Sequence, residues 1–396
     1  MKRAAPGLEA ALSQLDAAQL RRARTTVEAR ATGAGRALTV AGGRELIDFS
    51  SNDYLGLARH PELVRAMSAC AAASGAGSGA SHLITGHGAE HARLEEELAA
   101  FTGRERALLF STGYMANLAV MTALAGRGER VLLDRLCHAS LIDGARLSGA
   151  LLRRYRHADA DSAARLLAAD PSHTALIATD GVFSMDGDLA PLPQLACIAR
   201  AQGAWLIVDD AHGLGVVGAG GRGVLEHFGL GSEDVPVLVG TLGKAFGSFG
   251  AFVAGAAELI EFLIQKARTY IYTTALPQPV AAATRAALAL AQTESWRRER
   301  VAALTVRFRT AARAAGVPLS TSLTPIQPIE LGSAAAALDA QRQLQEAGLW
   351  VVAIRPPTVP AGSARLRITL SAAHTEEEVD TLVEQLGAVR ARARGP

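Results

Sequence analysis

From about Ser51 onward, short apolar runs alternate with longer stretches of helical periodicity. That alternation constrains the fold more than any other feature, because parallel strands need crossovers and helices supply them. The spacing predicts helices over roughly 61–73, 89–101, 114–125, 138–148, 161–169 and 191–202. Between them stand the strand-like runs Ala107–Phe110, Arg130–Leu133, Leu151–Tyr155, Ala175–Thr179, Trp205–Val208 and Val237–Val239. The fold class is therefore α/β, with a mainly parallel sheet whose active groups lie at loop ends.

Ahead of this block, Leu8, Leu12 and Leu15 lie at helical spacing and lead into Arg21, Arg22 and Arg24. The runs Ala37–Val40 and Glu45–Phe49 flank Gly42-Gly43 and predict a small hairpin. Beyond it, the chain turns helical over about 279–314, then offers strands at Ile326–Leu331, Trp350–Ile354 and Arg365–Leu370. Helices at 333–347 and 375–390 punctuate that second set. The expected division is an N-terminal helix and hairpin segment over 1–45, a large domain over 46–285 and a small C-terminal domain over 286–396.

Composition narrows the class. The 396 residues are enough for two domains and a large core. Forty basic residues against 38 acidic ones leave a formal charge of +2, which calls for neither nucleic acid nor a membrane surface. Cys70, Cys137 and Cys197 are odd in number and lack CxxC spacing. That argues against a disulfide framework or a zinc site and for a reducing, cytoplasmic compartment. No apolar run of about 18 residues escapes a charge or a glycine cluster, so no membrane span is expected.

The lysine count is the sharpest chemical clue. The chain has 37 arginines but three lysines, Lys2, Lys244 and Lys266. One of the three stands inside Val239-Gly-Thr-Leu-Gly-Lys-Ala-Phe-Gly-Ser-Phe-Gly250. A guanidinium cannot form an imine, whereas a lysine amine can be made nucleophilic by burial. Lys244 is therefore read as a Schiff-base lysine, against the plainer reading of a charged loop tip. Trp205-Leu-Ile-Val-Asp209 delivers a carboxylate at the end of a buried-type strand. Such a group can pair with a pyridinium nitrogen, and His212 follows three residues later. Taken alone, Asp209 reads equally well as a helix cap or a metal ligand.

Asp209-Asp-Ala-His212-Gly-Leu-Gly followed by Thr241-Leu-Gly-Lys244 resembles the α-oxoamine synthases, fold-type I pyridoxal-phosphate enzymes. The resemblance runs almost end to end, through Phe49–Gly56, Ser111–Asn117, Asp134–Ser140, Gly181–Gly187 and Ile354–Pro360. It implies a large mainly parallel sheet domain, a small C-terminal α/β domain, pyridoxal 5'-phosphate as cofactor and a homodimer. It lies nearest the members that join L-alanine to a pimeloyl thioester, on CoA or an acyl carrier protein, in biotin synthesis.

By the same resemblance, His138 stacks on the pyridine ring, although a histidine before Ala-Ser also reads as a helix start. Gly113, Tyr114 and Thr241 meet the phosphate, with Thr273 and Thr274 reaching it from a partner subunit. Ser184 and His212 stand near the phenolic oxygen. Arg355 clamps the amino-acid carboxylate, and Asn52, His138 and Thr358 are the other substrate contacts. Arg21 is assigned to the acyl substrate, with Arg22 and Arg24 as alternatives. Asp180 departs from the family pattern, standing where a glutamate is expected.

Other readings fit less well. Gly218-Ala-Gly-Gly-Arg-Gly223 satisfies the dinucleotide-binding pattern of a dehydrogenase, but lies about ten residues past its strand and opens no long helix. Thr241-x-x-Lys244 echoes serine-lysine acyl enzymes without their companion motifs. His82, His87 and His91 have no acidic ligand between them in the H-E-x-x-H manner, so solvent or substrate contacts are expected of them rather than a metal site. A regulatory, non-enzymatic use of the fold lacks any added DNA-binding segment.

Overall fold

Local signals set most element ends in the computed structural model, which describes residues 7–32, 36–41, 43–169 and 174–393. Lys2 and Gly42 of the expected hairpin lie outside them. Helix α1 (Leu8–Ala17) leads to β1 (Val27–Thr32), β2 (Arg36–Ala41) and β3 (Arg44–Asp48), which pair antiparallel in succession. Helix α2 (Pro61–Ser74) starts with proline in its first turn, and the His60 ring accepts the Glu62 N–H. A π-helical turn at His82–Gly86 and α3 (Ala89–Thr102) follow.

The central run comprises β4 (Arg106–Phe110), α4 (Gly113–Leu124), β5 (Arg130–Asp134), α5 (Ala139–Ser148), β6 (Leu151–Tyr155), α6 (Ala160–Ala168), β7 (Thr174–Asp180), α7 (Leu192–Gln202), β8 (Trp205–Asp209), α8 (Val224–Phe228), β9 (Val237–Thr241) and β10 (Ala251–Gly255). Thr112 caps α4 and Asp159 caps α6 through side-chain oxygens. Helices α9 (Ala257–Lys266), α10 (Arg268–Ile271), α11 (Gln278–Thr293) and α12 (Trp296–Ala314) come next. They precede β11 (Ile326–Gly332), α13 (Ala334–Glu346), β12 (Leu349–Trp350), β13 (Val352–Ile354), β14 (Ala364–Thr369) and α14 (Glu376–Ala393).

Asn52–Ser184 with Asp188–Val301 form one compact unit. Its seven-stranded sheet runs β4-β10-β9-β8-β7-β5-β6. The ladders from β9 to β6 are parallel, and β10 is antiparallel to both β4 and β9. Because β10 reverses direction, β4 runs the same way as β9. The carboxyl ends of β4, β5, β7, β8 and β9 therefore share one edge. One core layer joins Leu108, Val131, Leu133, Ile207 and Val239 of the sheet to Ala116, Val120 and Met121 of α4, all buried. Small residues let helices close up here: a Cβ on Gly144 of α5 would lie 2.8 Å from Met121 Cβ.

The described residues of Met1–Ser51, with Met185–Gly187 and Ala302–Pro396, form the other unit. Here β3 pairs in parallel with β12, Ile47 opposite Leu349, so the N-terminal hairpin joins a sheet completed near the end of the chain. That grouping differs from a free-standing segment over 1–45. The expected strand Trp350–Ile354 is two strands, because the Trp350 carbonyl bonds Phe49 N–H while Val352 N–H turns to Ser50 Oγ. A second sheet runs β11-β14-β13, antiparallel throughout. No described helix is long and apolar enough to cross a membrane.

Candidate active site

The shared strand edge gathers the chemistry. Lys244 follows β9 in a loop that closes on itself: Gly247 N–H donates to the Lys244 carbonyl at 2.8 Å, and Leu242 N–H to Gly250 at 2.9 Å. The Thr241 hydroxyl also donates to the Gly250 carbonyl, at 3.1 Å. Gly247 has φ 61, and a Cβ there would sit 2.3 Å from Ala58 N, so glycine alone fits. Lys244 is half-buried, and its Nζ lies 2.8 Å from His212 Nε2. His212 Nδ1 lies 2.7 Å from the Tyr54 hydroxyl, which in turn donates to Asn52 Oδ1 at 3.2 Å. A ring that carries its proton at Nδ1 donates to Tyr54 and offers Nε2 as an acceptor to the lysine amine.

Asp209 ends β8 and is buried. Asn117 donates to its Oδ2 at 2.6 Å, and Ala211 N–H to its Oδ1 at 3.1 Å. The same Asn117 amide reaches Ser140 Oγ at 2.8 Å. His138 caps α5, its Nδ1 accepting Ser140 N–H at 3.3 Å, while its own N–H donates to Asp180 Oδ2 at 2.8 Å. The helix-start reading of His138 is the one this bond supports. Burial lowers the His138 pKa; Asp209 pulls the other way and Lys244 adds to the lowering.

Gly113 and Tyr114 open α4 just after β4, with Thr112 Oγ1 accepting Met115 N–H at 3.2 Å. A Cβ on Gly113 would meet nothing within 4 Å, so space stands before this helix N-terminus. The exposed Tyr114 hydroxyl donates to Asp143 at 2.5 Å. Ser184 is half-buried in the turn after β7. Thr273 and Thr274 lie between α10 and α11, where the Thr273 hydroxyl reaches only the Thr274 carbonyl among the described residues.

Arg21, Arg355 and Thr358 belong to the other unit and are gathered there. Arg355 donates to the carbonyls of Gln19 and Arg21, the latter at 3.5 Å. The Arg21 side chain pairs instead with Asp16 at 2.7 Å, while Arg22 donates to Thr358 Oγ1 at 2.9 Å. Arg22 thus meets a substrate-site candidate through its side chain, and Arg21 through its backbone carbonyl.

The histidine trio is closer than its sequence spacing suggested. His82 and His87 approach Nδ1 to Nδ1 at 2.9 Å, with candidate ligand atoms of all three rings within 4.8 Å. Both nitrogens of the third ring are engaged. His91 accepts Gly88 N–H at Nδ1 and meets the Leu276 carbonyl at Nε2, and the other two rings share one proton. Burial, with His91 and His87 nearby, lowers the His82 pKa to about 3.

The donor set fits pyridoxal phosphate. An amine, a braced carboxylate, an exposed imidazole and a helix N-terminus with room before it match aldehyde, ring nitrogen, ring and phosphate. The Asn117 amide oxygen is buried with no donor among the described residues, a gap that a bound group can fill. Sequence reasoning assigned no role to Asn117 or Tyr54. The available signal was helical spacing: Asn117 lies one turn beyond Gly113, on the same face of α4.

The family model Aminotransferase class I and II matches residues 44–386. An 8-amino-7-oxononanoate synthase from Methylococcus capsulatus is 62% identical over 347 residues, 88% of this chain and 90% of that protein. The crystal structure of an 8-amino-7-oxononanoate synthase from Francisella tularensis is similar with a TM-score of 0.77 and 34% identity, covering 88% of this chain and 99% of its own. A serine palmitoyltransferase from S. paucimobilis with bound PLP–myriocin aldimine gives 0.90 and 31%, covering 98% of each chain.

Proposed function

Because the chain belongs to the class I and II aminotransferase family, and within it to the 8-amino-7-oxononanoate synthases, we propose that it condenses L-alanine with a pimeloyl thioester, releasing carbon dioxide. It is a pyridoxal-phosphate-dependent C-acyltransferase of biotin biosynthesis. Carbon bookkeeping supports the substrates: a seven-carbon acyl group and a three-carbon amino acid, less one carbon, leave the nine of an oxononanoate. The observation that carries the reading is the Lys244 amine 2.8 Å from an imidazole acceptor, on the strand edge that also presents Asp209.

Pyridoxal phosphate, when bound, supplies an aldehyde for an amine and a ring that takes up an electron pair. Lys244 Nζ would hold the aldehyde and, when free, would take the proton from Cα of L-alanine. Asp209, held by Asn117 and Ala211 N–H, keeps a proton at the ring nitrogen. His138 would lie against the ring face, and His212 and Ser184 would serve the phenolic oxygen. Gly113, Tyr114 and Thr241 hold the phosphate. Arg355 takes the amino-acid carboxylate through its bidentate fork, with Asn52 and Thr358 as further substrate contacts. Arg22 is the better-supported acyl contact, Arg21 the alternative. The deprotonated carbon attacks the thioester carbonyl, the thiol leaves, carbon dioxide follows, and Lys244 returns the proton.

The working form is a homodimer in which Thr273 and Thr274 complete the partner's phosphate site. Exposed Tyr272 beside Thr273, together with Leu83, Ile84 and Phe249, supports this, since one subunit gains little by leaving large apolar groups in water. Competing thioesters at equal, subsaturating concentration with L-alanine test the function. Pimeloyl should be consumed fastest; a win for acetyl-CoA with glycine would keep the family and remove the substrate assignment.

A further inference from the structure

His157 follows β6 and takes no part in the chemistry above. Its Nδ1 lies 3.0 Å from Asp134 Oδ1 and its Nε2 2.9 Å from Asp188 Oδ2, with Phe183 edge-on at 4.4 Å. An ionised carboxylate only accepts hydrogen bonds, so a ring facing one at each nitrogen carries both protons and is an imidazolium. The nearby charges Arg156 and Asp159 pair with each other at 2.7 Å, leaving Asp134 and Asp188 as its counterions.

Both counterions shape loops of the active site. Asp134 is fully buried at the end of β5 and accepts Leu136 N–H at 2.7 Å and Ala158 N–H at 2.8 Å. The turn that carries His138 therefore folds around this carboxylate. The Asp188 carbonyl accepts Phe183 N–H at 3.0 Å, closing the turn that carries Ser184. Ala158 is held at φ 50, a left-handed conformation that a residue with a Cβ keeps only when its surroundings enforce it. Three strand ends thus converge on one ring.

We propose that His157 is a positioning residue, a fixed cation that clamps the loop of His138 to the turn of Ser184. Its effect on catalysis rests on the cofactor roles given to those two residues; the clamp itself does not. In the native chain, nitrogen NMR should find both His157 ring nitrogens protonated at pH 9, and a neutral ring there overturns the clamp. His157→Gln, compared at equal folded fraction, should weaken pyridoxal-phosphate affinity and lower kcat, each about tenfold, with the KM for the thioester nearly unchanged. Affinity and kcat both within twofold of native would reduce His157 to a purely structural residue. Imidazole added to His157→Gly should restore affinity at pH 6 and not at pH 8.5, because only the protonated ring bridges two carboxylates. Equal rescue at both pH values overturns the charge requirement. Asp188→Asn, altering the outer end of the clamp, carries the same readings if the histidine variants do not fold. If the native enzyme refuses a pimeloyl thioester, the proposed function fails while the NMR and affinity measurements still decide the clamp.

Discussion

Asp180 and Asp209 stand opposite one another at the carboxyl ends of β7 and β8, in register across a parallel ladder and both buried. Burial, and then the neighbouring Asp209 charge, push the Asp180 pKa well above the ordinary carboxylate range. Asp180 is thus a carboxyl that resists ionisation, set beside the one proposed to face the ring nitrogen.

Asp180→Asn should therefore keep an acceptor for His138 N–H while removing a group that resists ionisation. A carboxyl whose folded pKa exceeds its unfolded value costs stability as pH rises above about 4. Relative to wild type, the amide variant should gain on the order of 1 kcal/mol in urea unfolding between pH 5 and pH 8. A gap that shrinks over that range contradicts the assignment.

Lys244 should be the residue trapped when the cofactor-loaded enzyme is reduced with borohydride. Peptide mapping should place the label in segment 239–250, not on Lys266, which ends α9. Lys244→Ala should lower kcat by at least about 10³-fold, the scale of a lost general base.

Much of this was legible in the sequence, and the gaps have physical causes. The parallel strands and crossover helices of the larger unit announced themselves because each carries its own periodicity. Strand β10 did not, since Ala251–Gly255 directly follows the glycine-rich lysine loop and offers no alternation. The pairing of β3 with β12 joins residues some 300 positions apart, which no local pattern encodes. Lys244 and Asp209 stood out by residue type and place. Asn117 and Tyr54 act by bracing Asp209 and His212, so their value appears only once the helix and strand ends meet.

The N-terminal arginines should separate in a kinetic comparison. Arg22→Ala removes the bond to Thr358, whereas Arg21→Ala removes a surface pair with Asp16. The first should raise a substrate KM about fivefold to tenfold, roughly 1 to 1.4 kcal/mol, and the second less than twofold. Equal effects would return the choice to Arg21.

Shared sites predict a mixing experiment. Inactive Lys244→Ala and an inactive Thr273/Thr274 double variant, exchanged at equal amounts, should regenerate about a quarter of native sites. No recovery after confirmed exchange would falsify the shared-site arrangement.

Stability should also carry the signature of His157. Burial alone would lower its pKa, but the hydrogen bonds it donates to Asp134 and Asp188 outweigh it and push the value up to about 10. A raised histidine stabilises fully below its unfolded pKa of about 6.5 and loses that contribution as pH climbs through the folded value. The native protein should thus exceed His157→Gln by a few kcal/mol at pH 6, with the margin closing toward pH 10. A margin that is flat in pH would mean the ring is neutral.

Strand β10 gives the lysine loop an unusual kind of rigidity. A residue added to a crossover can be absorbed by another partial turn of helix. The segment from Thr241 to Gly250 leaves one ladder and enters another beside it, with β10 gripped by β4 as well as β9. An extra residue there must either bulge against Ala58 or slip β10 past both neighbours, sending its side chains to the wrong face. Lys244 is thus located by strand register, and a change in loop length, an ordinary route by which enzymes diverge, would displace its amine.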